Sequence, residues 1–225
     1  MDKIKKLEYF TEANGFQDHK KEAIRLLERT IFFLNKFNIN YCLISGTLLG
    51  CIRHNDFIPW DDDIDLIVED TIYEKLQMIS SEFDDINIFL KDRYDTIKLC
   101  FSDGKEIVDP NNWKEYSLGK NKRYCWPFVD MFTYSLKEES IFFFIKDWDI
   151  NEFVPFQKVN FLGIDAFVPK NPDYFLRHCY GNDYMMEIIS PSYSHKDERI
   201  IHHREISSLT EIENEKKSFS LMRKK

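Results

Sequence analysis

The sequence predicts an α+β (mixed α/β) domain, and three observations carry that expectation. Residues 18–37 repeat apolar side chains at spacings of three and four, the period of a helix with one buried face. Short apolar runs at 41–44, 64–68 and 128–134 are bounded by turn or polar residues and read as strands. Gly and Pro occur only seven times each in 225 residues, which excludes collagen-like and low-complexity chains. A chain of this length can bury a full core without disulfides or a structural metal.

In the first helix Ile24, Leu27, Ile31 and Leu34 define the buried face, and Asp18 is the expected N-cap. Tyr41–Ile44 is a strand that stops at Ser45-Gly46, and Thr47–Arg53 opens a short helix directly behind that turn. Asn55–Pro59 is a loop before the strand Ile64–Val68, and Asp70 and Thr71 offer caps for a helix over 72–83. Ile97–Phe101 and Ile107-Val108 flank Asp103-Gly104 as a hairpin would. Residues 109–125, with Asp-Pro and Asn-Asn pairs and few periodic apolar side chains, predict a long loop of the kind that often covers a binding site. Phe128–Tyr134 is a strand, and Val159–Val168 a hairpin turning at Leu162-Gly163. Asn171-Pro172 starts a helix with a cap and an N1 proline, and Gly181 stops it.

Thirty-one basic against thirty-nine acidic residues leave a net charge of −8, which argues against a nucleic-acid binder. The five cysteines are far apart and form no C-x-x-C pair, so free thiols in a reducing compartment are expected. No apolar run approaches the ~20 residues of a membrane span. The basic Met1–Lys6 segment has no apolar stretch behind it, as a signal peptide would. The expectation is one domain over 1–225, with its core at about 20–186 and a charged helical tail at about 187–225, located in the cytoplasm. His178-Cys179 and His202-His203 are adjacent pairs that point apart and predict no metal site.

Trp60-Asp61-Asp62-Asp63-Ile64-Asp65-Leu66 is the most informative segment. Four carboxylates in five positions repel one another, and nothing basic lies among them, so the cluster costs stability unless a cation neutralises it. Strand alternation sends Asp63 and Asp65 to one face, with Asp61 if the strand reaches it, and Ile64 and Leu66 to the other. Asp62 has the core-facing parity but precedes the apolar run and can escape into the loop. Oxygen ligands in this arrangement suit Mg²⁺ or Mn²⁺. An EF-hand is excluded, because its D-x-D-x-D-G spacing is absent. A solvated acidic loop is the bland alternative.

Ser45-Gly46-Thr47-Leu48-Leu49-Gly50-Cys51-Ile52-Arg53-His54 and Phe57-Ile58-Pro59-Trp60-Asp61-Asp62-Asp63-Ile64-Asp65 closely resemble the motif of the LicD family of phosphocholine and fukutin-type ribitol-phosphate transferases. Phe128-Val129-Asp130-Met131-Phe132 resembles the family's second acidic strand, and Val168-Pro169 through Tyr180-Gly181-Asn182-Asp183-Tyr184-Met185 its C-terminal block. The resemblance covers about residues 20–186, without the zinc-loop cysteines or the membrane stem of the animal members. It implies the nucleotidyltransferase fold, a mixed sheet with surrounding helices and catalytic acids on two adjacent strands.

By that resemblance the reaction moves a phospho-alcohol from a CDP-linked donor to a sugar or glycan hydroxyl and releases CMP. Asp63, Asp65 and Asp130 would be catalytic and hold Mg²⁺ or Mn²⁺, Asp130 serving either as third ligand or as the base for the acceptor proton. Asp61 could add a ligand or orient the acceptor. Gly46 and Thr47 could receive a phosphate at a helix start, or form an ordinary turn. Arg53 could bind phosphate as a bidentate fork or pair with the acidic loop, and His54 could donate to phosphate or pack on Trp60. Lys98 could neutralise the donor. Two other readings stand beside this one: nucleotidyl transfer to a small molecule or protein hydroxyl, and an inactive binding scaffold.

Overall fold

Two parallel strands carry Asp65 and Asp130 and form the middle of the main sheet, while Asp61, Asp62 and Asp63 lie just before the first of them. They are β2 (Ile64–Glu69) and β6 (Cys125–Leu136), paired so that Asp65 lies beside Asp130 and Leu66 beside Met131. The computed structural model describes residues 10–91, 96–107, 117–119, 123–201 and 204–222. β1 (Tyr41–Leu43) adds antiparallel to the outer edge of β2; β4 (Thr96–Glu106), β3 (Ile86–Lys91) and β5 (Ser117–Gly119) extend the sheet beyond β6. The far end of β6 continues into a hairpin of β7 (Ser140–Phe143) and β8 (Lys146–Asp149), making eight strands in all. Alternate rows of this sheet serve different purposes. Leu43, Leu66, Met131 and Ile97 form one continuous buried row across four strands, whereas Asp65, Asp130 and Lys98 form the next.

Helix α1 (Lys20–Lys36) packs on β6 and buries Ala23, Leu26, Leu27, Thr30, Ile31, Phe33 and Leu34. The true stripe therefore centres one position away from Ile24, which is only half-buried. Asp18 is not its cap: it sits in a 3₁₀ turn, Gln17–His19, and no side chain caps the helix. The expected helix over 72–83 is also divided, into a 3₁₀ turn at Asp70–Glu74 and α3 (Leu76–Glu82), neither with a side-chain cap. Ile72, Leu76, Ile79 and Phe83 still face the core, but neither Asp70 nor Thr71 caps the segment as expected.

β4 corrects the hairpin expected around Asp103-Gly104. The strand runs on through that pair with an irregularity between Cys100 and Lys105, and bonds to β3 and β6 rather than to itself. Gly104 serves close approach, not a turn: a Cβ there would lie 3.0 Å from that of Cys125. β3 has no counterpart in the sequence reading. Most of the loop expected at 109–125 lies outside the described residues, and Ser117–Gly119 is an edge strand.

The second hairpin, β9 (Gln157–Phe161) and β10 (Ile164–Val168), turns at Leu162-Gly163 as expected. A short helix α4 (Ile150–Phe153) precedes it, and α5 (Pro172–Tyr180) follows, with the Asn171 side chain accepting from the Tyr174 N–H and Gly181 at φ +89° ending it.

Residues beyond 186 do not form a detached tail. β11 (Glu187–Ile189) pairs with β14 (Ile206–Ser208), β12 (Tyr193–Ser194) with β13 (Arg199–Ile200), and Ile188, Ser190 and Ser194 are buried. Only then does α6 (Leu209–Met222) follow. No described helix is long and apolar enough to cross a membrane. The five cysteines are all free thiols.

Candidate functional site

The site grows from the turn between β1 and β2's neighbouring helix, α2 (Ser45–Leu49), which leads into a π-helical turn at Gly50–His54. Ser45 takes a left-handed φ of +48°, an uncommon conformation for a residue with a side chain. Gly46 follows because the Asp61 carboxylate rests on it: a Cβ there would lie 2.2 Å from Asp61 Oδ2. Thr47 is buried, and its hydroxyl oxygen accepts the Asp65 backbone N–H at 2.8 Å. The Gly46 N–H reaches the Asp65 carboxylate. The turn thus holds the acids directly.

Asp63, Asp65 and Asp130 bring carboxylate oxygens within 4.8 Å of one another, and Asp62, Asp63 and His195 form a second group at the same spacing. Asp63 belongs to both. Burial, then repulsion from Asp63, raises the Asp65 carboxyl well above the ordinary range, and the same causes act on Asp61. Burial also raises Asp130, against the pull of Lys98. Among the described residues no lysine or arginine forms an ion pair with Asp61, Asp62, Asp63 or Asp65. Crowded hard oxygen donors without a lysine or arginine partner are a fitting donor set for a divalent metal.

Asp62 is buried, not released into the loop as its position suggested. It accepts the Lys196 N–H at 3.0 Å, and its carboxyl is pushed up to about 6, by burial against the pull of His195. His195 is the residue that sequence reasoning missed. Its Nε2 stands 3.3 Å from Asp63 Oδ2, and its ring lies edge-on to Phe128 and Tyr193. Glu198 anchors that hairpin by accepting from the Tyr124 and Tyr193 hydroxyls at 3.1 and 2.9 Å. No local pattern marks His195; it arrives only because the chain beyond 186 folds back.

The flanking residues divide their roles. Lys98, expected to face the donor, pairs with Asp130 at 2.6 Å and lies 3.5 Å from the centre of the Phe128 ring. Arg53 donates to the Tyr184 and Glu187 carbonyls at 2.7 and 3.1 Å, and burial pulls its guanidinium down to about 10. It therefore ties the chain beyond 183 to the motif helix while lining a cavity. His54 lies edge-on to Trp60, whose indole N–H donates to the Ile189 carbonyl. His202-His203 lies outside the described residues.

Two cavities border the acidic cluster. One of about 240 Å³ is bordered by Gly46, Arg53, Trp60, Asp61, Tyr180 and Arg204. The other, of about 980 Å³, has Lys98 and Asp130 in its wall. Tyr193 and His195 border both.

A family model described as LicD/FKTN/FKRP, nucleotidyltransferase domain, matches residues 38–171. An uncharacterized protein of Rickettsia typhi, RT0683, is 30% identical over 166 residues, 72% of this chain and 47% of its own length. Lipopolysaccharide cholinephosphotransferase LicD of Haemophilus influenzae is 50% identical over 53 residues, 24% of this chain and 20% of that protein. Ribitol-5-phosphate transferase FKTN of Homo sapiens is 30% identical over 145 residues, 53% of this chain and 30% of that protein. The chain spans less than half the length of each of these relatives. Among solved structures, lincomycin-bound lincosamide antibiotic adenylyltransferase LnuA aligns at a TM-score of 0.41 and 13% identity, over 64% of this chain and 78% of that one.

Proposed function

The chain belongs to the LicD/FKTN/FKRP nucleotidyltransferase-domain family, and from that premise we propose that it transfers a phospho-alcohol from a CDP-linked donor to a glycan hydroxyl. The observation that carries the reading is the row of Asp65, Asp130 and Lys98 across three adjacent strands, with Asp63 beside it. Two relatives bear names for this chemistry, a cholinephosphotransferase and a ribitol-5-phosphate transferase.

Asp63 and Asp65 would hold Mg²⁺ or Mn²⁺, with Asp130 within reach, and Asp62 and His195 would serve a second position that shares Asp63. A divalent ion there would supply positive charge for a diphosphate that this acidic pocket alone repels. Thr47 and Gly46 keep Asp65 aimed. Arg53 and Arg204 give the smaller cavity its cationic wall, which suits the donor. Asp130 borders the larger cavity and has its carboxyl raised by burial, which suits it to take the acceptor proton. The acceptor oxygen forms the new bond to the alcohol-bearing phosphorus, the bond from that phosphorus to CMP breaks, and CMP leaves.

Product analysis tests this with CDP-choline, CDP-ribitol and CDP-glycerol, each with Mn²⁺. CMP release is expected, reduced at least about 10²-fold in both Asp65→Ala and Asp130→Asn. Manganese binding by calorimetry should be lost in Asp65→Ala and retained in Asp130→Asn. Pyrophosphate formed from nucleoside triphosphates, with CDP-alcohols left intact, would favour nucleotidyl transfer. Unchanged Mn²⁺ and CDP binding in Asp65→Ala would favour a scaffold.

A further inference from the structure

We propose that the larger cavity takes the acceptor as an uncharged glycoside bearing an apolar aglycone, and that the tip of the β7–β8 hairpin, Phe144-Ile145, grips the apolar part; this rests on the transfer reaction proposed above. Three observations lead there.

The first is position. Thr96 and Lys98 on β4 and Asp130 and Phe132 on β6 lie on one face of the sheet as register partners, and together they floor the cavity. A sugar lying on that floor has its hydroxyls beside Asp130.

The second is charge. Lys98 is the only lysine or arginine among the described lining residues, and it is paired with Asp130. Asp70, Glu74 and Glu198 line the same space. A diphosphate is disfavoured here, and the smaller cavity with Arg53 and Arg204 is the better place for it. An acceptor without negative charge fits the remainder.

The third is the hairpin tip. Phe144 and Ile145 occupy left-handed backbone at φ +54° and +59°, where a two-residue turn favours Asn-Gly. A β-branched residue in that region is strained. Ile145 is also 81% exposed, so it gains nothing from burial. Phe144 packs on Phe132 at 4.6 Å between centroids, which fixes the tip over the cavity floor. Backbone and solvation are thus both unfavourable at one spot on the cavity wall, and an apolar ligand would relieve the second. Two aromatic rings in the wall of the same cavity, Phe132 and Tyr193, suit the apolar face of a sugar ring.

The test compares n-octyl β-D-glucopyranoside, below its micelle concentration, with methyl β-D-glucopyranoside by ligand-observed NMR on the full chain. The octyl glycoside is expected to bind at least tenfold tighter to the native protein. In Ile145→Gly and Ile145→Asn, both at ease in left-handed backbone, that preference should fall to within about twofold while the melting temperature stays level or rises. Met78→Ala, which trims another exposed apolar side chain, on α3 and outside the cavity lining, should keep the native preference. Equal binding of the two glycosides, a preference that survives at Ile145, or a preference lost in Met78→Ala would overturn the proposal. Binding of CDP with Mn²⁺ should be unchanged in the Ile145 variants. Its absence in the native protein would count against the transfer reading instead.

Discussion

Asp65 and Asp130 are register partners on neighbouring parallel strands, yet they meet their charges in different ways. Asp130 is buried and paired with Lys98 from the strand on its other side. Asp65 receives backbone and hydroxyl contacts from the Gly46-Thr47 turn and lies among three further carboxylates, with no lysine or arginine paired to any of the four among the described residues and only His195 beside Asp63. One half of the site is balanced by a lysine, and the other crowds its carboxylates beside a single histidine. A carboxylate with an internal partner has its charge balanced before any ligand arrives. A cluster without one stores repulsion that a bound ion releases.

Removing the internal partner breaks this comparison most severely. Lys98→Met leaves Asp130 as a buried charge, at a cost of about 3–5 kcal/mol. At about 3 °C per kcal/mol for a chain of this size, the melting temperature should fall by roughly 10 °C. Lys98→Met combined with Asp130→Asn should recover most of that loss. An unchanged melting curve in the single variant would mean that the pairing compensates nothing.

Proton linkage sharpens the contrast on the other half. The Asp62 carboxyl is pushed up to about 6, above the ~4 of an unfolded chain, and Asp61 and Asp65 are raised as well. Between those values the folded protein holds a proton that the unfolded chain has released. Stability from this source is therefore complete below about pH 4 and lost as pH rises through 6. At about 1.4 kcal/mol per unit, Asp62 alone makes the difference about 3 kcal/mol. In EDTA, thermal unfolding should come at a lower temperature at pH 7.5 than at pH 5. Saturating Mn²⁺ should restore most of the gap at pH 7.5 and little at pH 5. A metal-free protein that grows more stable over that range would contradict carboxyls raised by burial in the folded site.

How much of this was legible in the chain follows the same division. Asp63 and Asp65 were readable because their neighbours Ile64 and Leu66 impose a period of two, a purely local signal. Gly46, Thr47, Arg53 and His54 were found by motif, but their contacts were not: nothing local says that Thr47 holds Asp65 or that Arg53 ties down residues 184 and 187. The Lys98–Asp130 pair depends on the register of β4 against β6, and the Asp103-Gly104 pair, a turn signal by local rules, is an irregularity within β4 in the fold. His195 depends on the return of a segment whose charge and polarity suggested a solvated tail. Local alternation and capping are visible in sequence; nonlocal register and chain return are not.

The smallest expected effect separates Asp61 from Asp65 within the unpaired half. Gly46→Ala sends a methyl group into Asp61 Oδ2, and the flexible end of that side chain must swing away. Thr47 still holds the Asp65 backbone, because that contact comes from the next residue and does not pass through the glycine Cα substituent. Displacing Asp61 costs packing but also lowers the repulsion among the four acids, so the two changes oppose each other. The net stability change should stay within about 1 kcal/mol, a shift of some 3 °C or less in EDTA. Manganese affinity measured by calorimetry should remain within about threefold of the native value if Asp63 and Asp65 are the principal ligands. Loss of manganese binding in Gly46→Ala would instead make Asp61 indispensable to the ion and explain why a bare glycine must stand beneath its carboxylate.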